Sequence, residues 1–313
     1  MDLRNKKILI TGGAGFLGSH VVEKLIARGV PVTNILVPRS KDYDLRRWEN
    51  CLTVTRGVDV VIHLAAFVGG IKLNQQNPGK MFYDNAIMST QLMEAARQLD
   101  IQKFIAVGTV CGYPKIPPSI PFKEDDLWMG YPEETNAPYG LAKRMHLVQA
   151  QAYRQQYGMN AIYLILVNLY GPRDKFDPDA SHVIPALVRK VYEAKIKNSP
   201  YIDAWGTGEA TREFIYVEDA AEAIVTAAER YNKPEPVNIG TGREISIKRL
   251  LETICRLIDY RGEIRWDASK PNGQPRRLFD VSRAEREFGF KSKTDFEEGL
   301  RKTIDWYIKN PNA

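Results

Sequence analysis

The sequence predicts an α/β protein: a Rossmann-type, doubly wound parallel sheet with a smaller C-terminal α/β substrate domain. Three observations predict it. Short apolar runs alternate with amphipathic stretches through the first half of the chain. Those runs are apolar on both faces, as strands buried in a helix-covered parallel sheet are. The first of them leads directly into a glycine-spaced turn that opens a helix.

In chain order, "KILIT" (Lys7–Thr11), "TNILVP" (Thr33–Pro38), "DVVIHLA" (Asp59–Ala65), "FIAVGT" (Phe104–Thr109) and "AIYLILV" (Ala161–Val167) read as buried strands. Helical patterns lie between them, among them Gly18–Gly29, Met88–Asp100 and Ala137–Gly158. Past Asn168 the alternation weakens, and Pro172, Pro178 and Pro185 punctuate an irregular stretch. "NIGTG" (Asn238–Gly242) ends a late strand, and the tail carries helices over "SIKRLLETICRLI" and "DFEEGLRKTIDWYIK". This organisation predicts a dinucleotide-binding domain from 1–169 plus about 214–240. The substrate domain is expected from about 170–213 and 241–313.

Composition sets the broad class. The 313 residues are 44% hydrophobic and 26% charged, ordinary for a globular protein with a substantial core. The net charge of +6 is scattered rather than blocked, so no nucleic-acid-binding tail is expected. Three cysteines, far apart and odd in number, make neither a disulfide framework nor a metal-ligand spacing. No metal is expected. No apolar run reaches the length of a membrane span, and the charged Met1–Lys7 stretch has no signal-peptide core. The expected compartment is the reduced cytosol, with no membrane partner.

"ILITGGAGFLGSHVVEKL" places Gly12, Gly15 and Gly18 between the first strand and the first helix, spaced G-x-x-G-x-x-G. Glycines there permit a tight turn and let backbone N–H groups approach a pyrophosphate at the helix N-terminus. A glycine triplet alone could be only a tight turn; its position directly after a strand supplies the context a dinucleotide needs. The cofactor's identity turns on the end of the second strand, "VPRSKDYDL". An acid there suits the ribose 2′-hydroxyl of NAD, and basic residues suit the 2′-phosphate of NADP. Arg39 and Lys41 favour NADP(H), while Asp42 and Asp44 keep NAD open.

"APYGLAK" puts Tyr139 and Lys143 four residues apart, on one face of a helix. A tyrosine hydroxyl titrates near about 10 when unperturbed and needs a neighbouring ammonium to work near neutrality. Cys111, in "GTVCGYPK" after the fourth strand, reads from these residues alone as a small hydrophobe in a turn. His20, His63 and His146 fall inside helix or strand patterns and read as structural.

The chain resembles the extended short-chain dehydrogenase/reductase family over nearly its whole length. The resemblance is carried by "AAFVGGI", "CGYPK", "PYGLAK", "NLYGP", "SHVIPALVRK", "WGTG", "REFIYVED" and "DASKPNGQPRR", in that order. These segments are most similar to the members that epimerise and reduce 4-keto-6-deoxy sugars linked to GDP. The resemblance implies Thr109, Tyr139 and Lys143 as the set that serves the C4 carbonyl. It implies an NADP(H) site from Gly12, Gly13, Ala14, Gly15, Phe16, Leu17 and Gly18, with Arg39, Lys41, Asp44, Leu45, Ala65 and Ala66. Val107, Gly108, Thr109, Val110, Leu166, Val167, Asn168 and Leu169 join them, with Lys143 and His182. It makes Cys111 and His182 the epimerase pair, C3 and C5 both flanking the ketone and each inversion needing a base and an acid. It nominates Lys190, Trp205, Arg212 and Asn272 for the GDP moiety, and Arg277 either there or as a solvated surface charge. It also implies a homodimer formed through the sheet-flanking helices.

The chain departs from the family's pattern at several positions. Thr109 stands where Ser is common and keeps the hydroxyl; Leu166–Val167 replace a usual Pro-Thr; Lys175 replaces Asn and Asn272 replaces Asp. Gly112 replaces a branched apolar residue, an exchange expected to give more room near the sugar. These departures bear on which GDP-4-keto sugar is used, a hexose or a heptose, and on whether epimerisation accompanies C4 reduction. A non-catalytic NADP-binding protein is the remaining alternative, and the presence of both Tyr139 and Lys143 argues against it.

Overall fold

The computed structural model describes residues 1–177, 181–270 and 274–311. Asn272 therefore lies outside the described residues. The strands are β1 (Ile8–Thr11), β2 (Ile35–Leu36), β3 (Val60–His63), β4 (Lys103–Thr109), β5 (Ala161–Leu166) and β6 (Asn168–Tyr170). They continue with β7 (Tyr201–Trp205), β8 (Thr211–Tyr216), β9 (Val237–Ile239), β10 (Glu244–Ser246) and β11 (Glu263–Asp267). Six form one parallel sheet in the order β2-β1-β3-β4-β5-β9. Every residue of β1, β3 and β5 is buried, which matches the unbroken apolar runs in their sequences.

From β1 the chain goes out to β2 and returns to β3 on the other side, so the strand order reverses between β1 and β3. A doubly wound sheet binds its ligand outside the carboxyl ends of the strands at such a reversal. Thr11 and His63 end the two strands there, and the Thr11 hydroxyl lies 2.7 Å from His63 Nδ1. His63 Nε2 lies 2.6 Å from the Ser89 hydroxyl, and burial pushes its pKa down to about 3. It is a neutral structural bridge. His20 is likewise buried, against the Pro172 carbonyl.

Two expected strands are modified. The second shrinks to Ile35–Leu36, because Pro38 has no N–H for the ladder and the chain must leave the sheet edge there. The fifth ends at Leu166, and the chain passes through Val167 into β6, which pairs with β8 in a separate sheet of order β10-β8-β6. A parallel pair, β7 with β11, completes the strands.

Two apolar clusters follow from this division. One holds the large sheet, the helices flanking it and Val217–Arg230. The other gathers Tyr170, Phe176, the helix Val183–Ile196, the helix Ile247–Ile258 and the helix Phe296–Lys309 around the smaller sheets. The last two helices begin at side-chain caps, Ser246 on the Arg249 N–H and Asp295 on those of Glu297 and Glu298. Among the described residues no helix is long and apolar enough to cross a membrane.

Candidate active site

A single cleft of about 1750 Å³ runs from the carboxyl ends of β1 and β3 to the helix Val183–Ile196 and β7. Among the described residues it is lined by all the site residues expected from the sequence except Gly13, which faces elsewhere. A Cβ on Gly13 would point at the Val37 methyls, 2.9 Å away, so this glycine serves packing beneath the loop.

The glycine turn is built for close approach. Gly12 has a φ of +73°, and a Cβ there would lie 2.8 Å from the Ala65 N. A Cβ on Gly18 would strike the Gly12 carbonyl, so the helix Phe16–Ala27 packs directly on the turn. That helix starts at Gly15 without a side-chain cap and without an acid in its first turn. Its first N–H groups and positive dipole end thus suit a pyrophosphate, and the residues present fit a dinucleotide. Arg39 and Lys41 line the same part of the cleft with exposed side chains. Asp44 is engaged by Arg46, which holds its carboxyl down at about 2. Of the two acids that left NAD open, Asp44 is therefore already paired and Asp42 does not line the cleft, while the two basic groups are exposed toward it.

The reactive turn follows β4. Thr109 Oγ1 accepts from the Cys111 N–H at 3.2 Å, curling Val110–Gly112 into one turn of 3₁₀ helix. This turn rests on the helix Ala137–Tyr157, where Gly140 leaves no side chain in its way. Arg144 of that helix donates to the Gly112 carbonyl and, at 3.3 and 3.2 Å, to that of Gly130. A Cβ on Gly112 would face Arg144, 3.6 Å away, and Leu127. The expected room near the sugar is not there: Gly112 is buried against the helix and adds space only beneath the turn.

Tyr139 and Lys143 stand on the same helix, the Lys143 ammonium 6.0 Å from the Tyr139 ring centre. Tyr163 fixes this stretch by donating to the Lys143 carbonyl at 2.8 Å. Burial, with the Cys111 sulfur nearby, raises the Tyr139 phenol above its ordinary value. Burial pushes Lys143 down to about 8. Tyr139 therefore holds its proton at neutral pH, the state a proton donor needs.

His182 is the residue immediately before the helix Val183–Ile196, whose third residue is Pro185. Its ring stands open to the cleft, yet protein crowds it enough to lower its pKa, leaving it neutral near pH 7. A neutral imidazole can accept a proton, a thiol can give one, and both face one space.

Farther along, the Lys190 ammonium donates to the Asp203 carbonyl at 2.7 Å beside the exposed Trp205. Arg212 donates to the Thr211 and Gln274 carbonyls at 2.7 and 2.6 Å. Its burial and the neighbouring Arg277 lower it to about 10. Arg277 is not a solvated surface charge: it is half-buried, with Nη1 3.9 Å from the Cys111 sulfur.

Sequence reasoning missed Gln274 and Glu213. The Glu213 carboxylate accepts from the Phe279 N–H at 2.7 Å and the Gly242 N–H at 2.8 Å, and also from the Thr241 N–H. It thereby ties β8 to two loops that reach it from elsewhere in the chain. The signal was present in part: an acid directly before the apolar run "FIYV" needs buried donors if that strand is in the core, and Glu213 is in fact 1% exposed. Gln274, a neutral amide in a loop, carries no comparable signal.

Residues 8–240 match the NAD dependent epimerase/dehydratase family. The chain is 39% identical to a GDP-L-fucose synthase of Sinorhizobium fredii over 310 residues, 98% of this chain and 97% of that one. Among solved structures it is similar to a GDP-6-OMe-4-keto-L-xylo-heptose reductase from C. jejuni, with a TM-score of 0.90, 26% identity and 98% of each chain covered. It is also similar to a GDP-L-fucose synthetase from Naegleria fowleri bound to NADP, with a TM-score of 0.88 and 28% identity, covering 99% of this chain and 96% of that one.

Proposed function

The chain belongs to the NAD dependent epimerase/dehydratase family, and on that premise we propose that it converts GDP-4-keto-6-deoxy-D-mannose to GDP-L-fucose with NADPH. One observation carries the reading: a thiol, an imidazole and a Tyr–Lys pair face one cleft beside a dinucleotide-binding turn. A plain C4 reductase needs only the Tyr–Lys pair and a second hydroxyl. The thiol and the imidazole are the additional acid and base that inversion at C3 and C5 requires.

In this reading the Tyr139 and Thr109 hydroxyls hold the ketone oxygen at C4. One member of the Cys111–His182 pair removes the proton on the flanking carbon, and the electrons pass to that oxygen as an enolate. The hydroxyls stabilise the negative charge where it develops. The other member returns a proton to the opposite face, which inverts the centre. NADPH, when bound, supplies the hydride that reduces C4. Tyr139 gives its proton to the resulting alkoxide, and the Lys143 ammonium stabilises the phenolate left behind. Arg39 and Lys41 hold the 2′-phosphate, while Lys190, Trp205 and Arg212 hold the GDP moiety.

The division into a dinucleotide-binding and a substrate domain belongs to the same proposal, with the cleft between them. So does a cytoplasmic homodimer. Phe82, Tyr83, Met145 and Val148 are exposed on the adjacent helices Pro78–Gln98 and Ala137–Tyr157, apolar surface of the kind that pairs across a two-fold axis. The test is incubation with GDP-4-keto-6-deoxy-D-mannose and NADPH, with the product identified by NMR. GDP-L-fucose is the expected product. A C4 alcohol without inversion, or no consumption of NADPH, contradicts the proposal.

A further inference from the structure

We propose that Arg277, anchored by Gln274, is the counter-ion of the Cys111 sulfur whenever that sulfur carries a negative charge. The inference rests on Cys111 acting as an acid–base group. As a base, the thiolate takes a proton from carbon and becomes a thiol. As an acid, the thiol gives its proton and becomes a thiolate. Either way an anionic sulfur forms in the catalytic cycle, and something in the cleft must meet its charge.

The geometry assigns that task to Arg277. Its Nη1 lies 3.9 Å from Sγ, although the two residues are 166 apart in the chain. The guanidinium is not loosely placed. Its Nε donates to Gln274 Oε1 at 2.6 Å. The Gln274 amide in turn donates to the carbonyls of Lys115 at 2.6 Å and Pro114 at 3.3 Å. These carbonyls belong to the segment that leaves the Cys111 turn. One buried amide therefore grips both the arginine and the backbone beside the cysteine. Two residues beyond Arg277, the Phe279 N–H is fixed on the buried Glu213.

The charges around the sulfur are lopsided. Tyr139 faces it from the helix, Arg212 from β8 and Arg277 from the loop before Phe279. Among the described residues no carboxylate makes a salt bridge with Arg277, so the sulfur is the acceptor it meets besides Gln274. A half-buried cation therefore stands against this sulfur. The other two cysteines lack it. Cys51 and Cys255 are buried, and burial pushes them up to about 12 and about 11.

That contrast makes the test selective. In the whole enzyme without substrate, the rate of Cys111 alkylation by iodoacetamide is followed against pH by mass spectrometry. Cys111→Ser marks any background from Cys51 and Cys255. Replacing Arg277 by Met should move the profile upward by about one pH unit, a roughly tenfold loss of alkylation rate near neutrality. Arg277→Lys, which keeps the charge, should recover part of that loss. Arg277→Gln, polar and nearly as long, gives the same upward shift and replaces the Met variant should that one not fold. Profiles for the neutral variants that coincide with the parent overturn the proposal and leave Arg277 to the substrate alone. The measurement needs no 4-keto sugar. An enzyme that turned over no such sugar would sink the functional reading, and the alkylation profiles would still decide whether Arg277 favours the thiolate.

Discussion

Gly140 lies directly beneath the Cys111 backbone: a Cβ at Gly140 would come 2.8 Å from the Cys111 carbonyl carbon, and closer still to its oxygen. The helix bearing Tyr139 and Lys143 and the turn bearing Cys111 are thus in backbone contact. The reductive and epimerising groups are held as one rigid unit. Gly140→Ala must push the turn off the helix, and a displacement of about 1 Å costs on the order of 100-fold in turnover. NADPH binding, measured by fluorescence titration, should stay close to the parent. A Gly140→Ala enzyme with parental turnover would show that this contact does not set the geometry.

Lys143 predicts the alkaline side of the pH profile. Burial pushes it down to about 8, so the ammonium is charged below that pH and neutral above it. The phenolate left on Tyr139 after proton transfer needs the charged form. The rate of C4 reduction should therefore fall as pH rises through about 8, well before an unperturbed lysine would titrate. A reduction rate that stays flat to about pH 10 would contradict this role.

Cofactor choice follows from two cations at the cleft, an occupied Asp44 and an Asp42 that does not line it. Arg39 and Lys41 are exposed at the cleft, while Arg46 already holds Asp44 at 2.8 Å. A charge-assisted hydrogen bond contributes about 1.5–3 kcal/mol, so losing both cations should weaken NADPH by about tenfold or more. Affinity for NADH, which lacks the 2′-phosphate, should barely change in the Arg39→Ala/Lys41→Ala enzyme. Calorimetry with each cofactor checks this. A parent enzyme that binds NADH more tightly than NADPH would overturn the assignment.

How far these features were legible in the sequence depends on whether they are local. The parallel strands announce themselves as unbroken apolar runs, and the Gly12–Gly18 spacing and the Tyr139–Lys143 interval each lie within one turn or one helix. The fate of Asn168–Tyr170 is not local: the strand pattern stops at Val167, and only pairing with β8 takes the next three residues into another sheet. The same holds for Gly112, which looks like an opening toward the sugar until Arg144 and Leu127 are seen beneath it. Arg277 stood between two readings because its partners, Cys111 and Gln274, meet only when the chain closes.

The central claim is that Cys111 moves the protons at C3 and C5, and one measurement tests it most directly. Cys111→Ser keeps nearly the size of the side chain and replaces the thiol with a far weaker acid. Its product from GDP-4-keto-6-deoxy-D-mannose and NADPH in heavy water is examined by NMR. The parent enzyme should give GDP-L-fucose with deuterium at both carbons. The variant should give, slowly, the unepimerised C4 alcohol, because Tyr139 and Lys143 remain to complete reduction. If the variant instead produces GDP-L-fucose carrying both deuterons at the parental rate, the cysteine only fills its turn and the account is wrong.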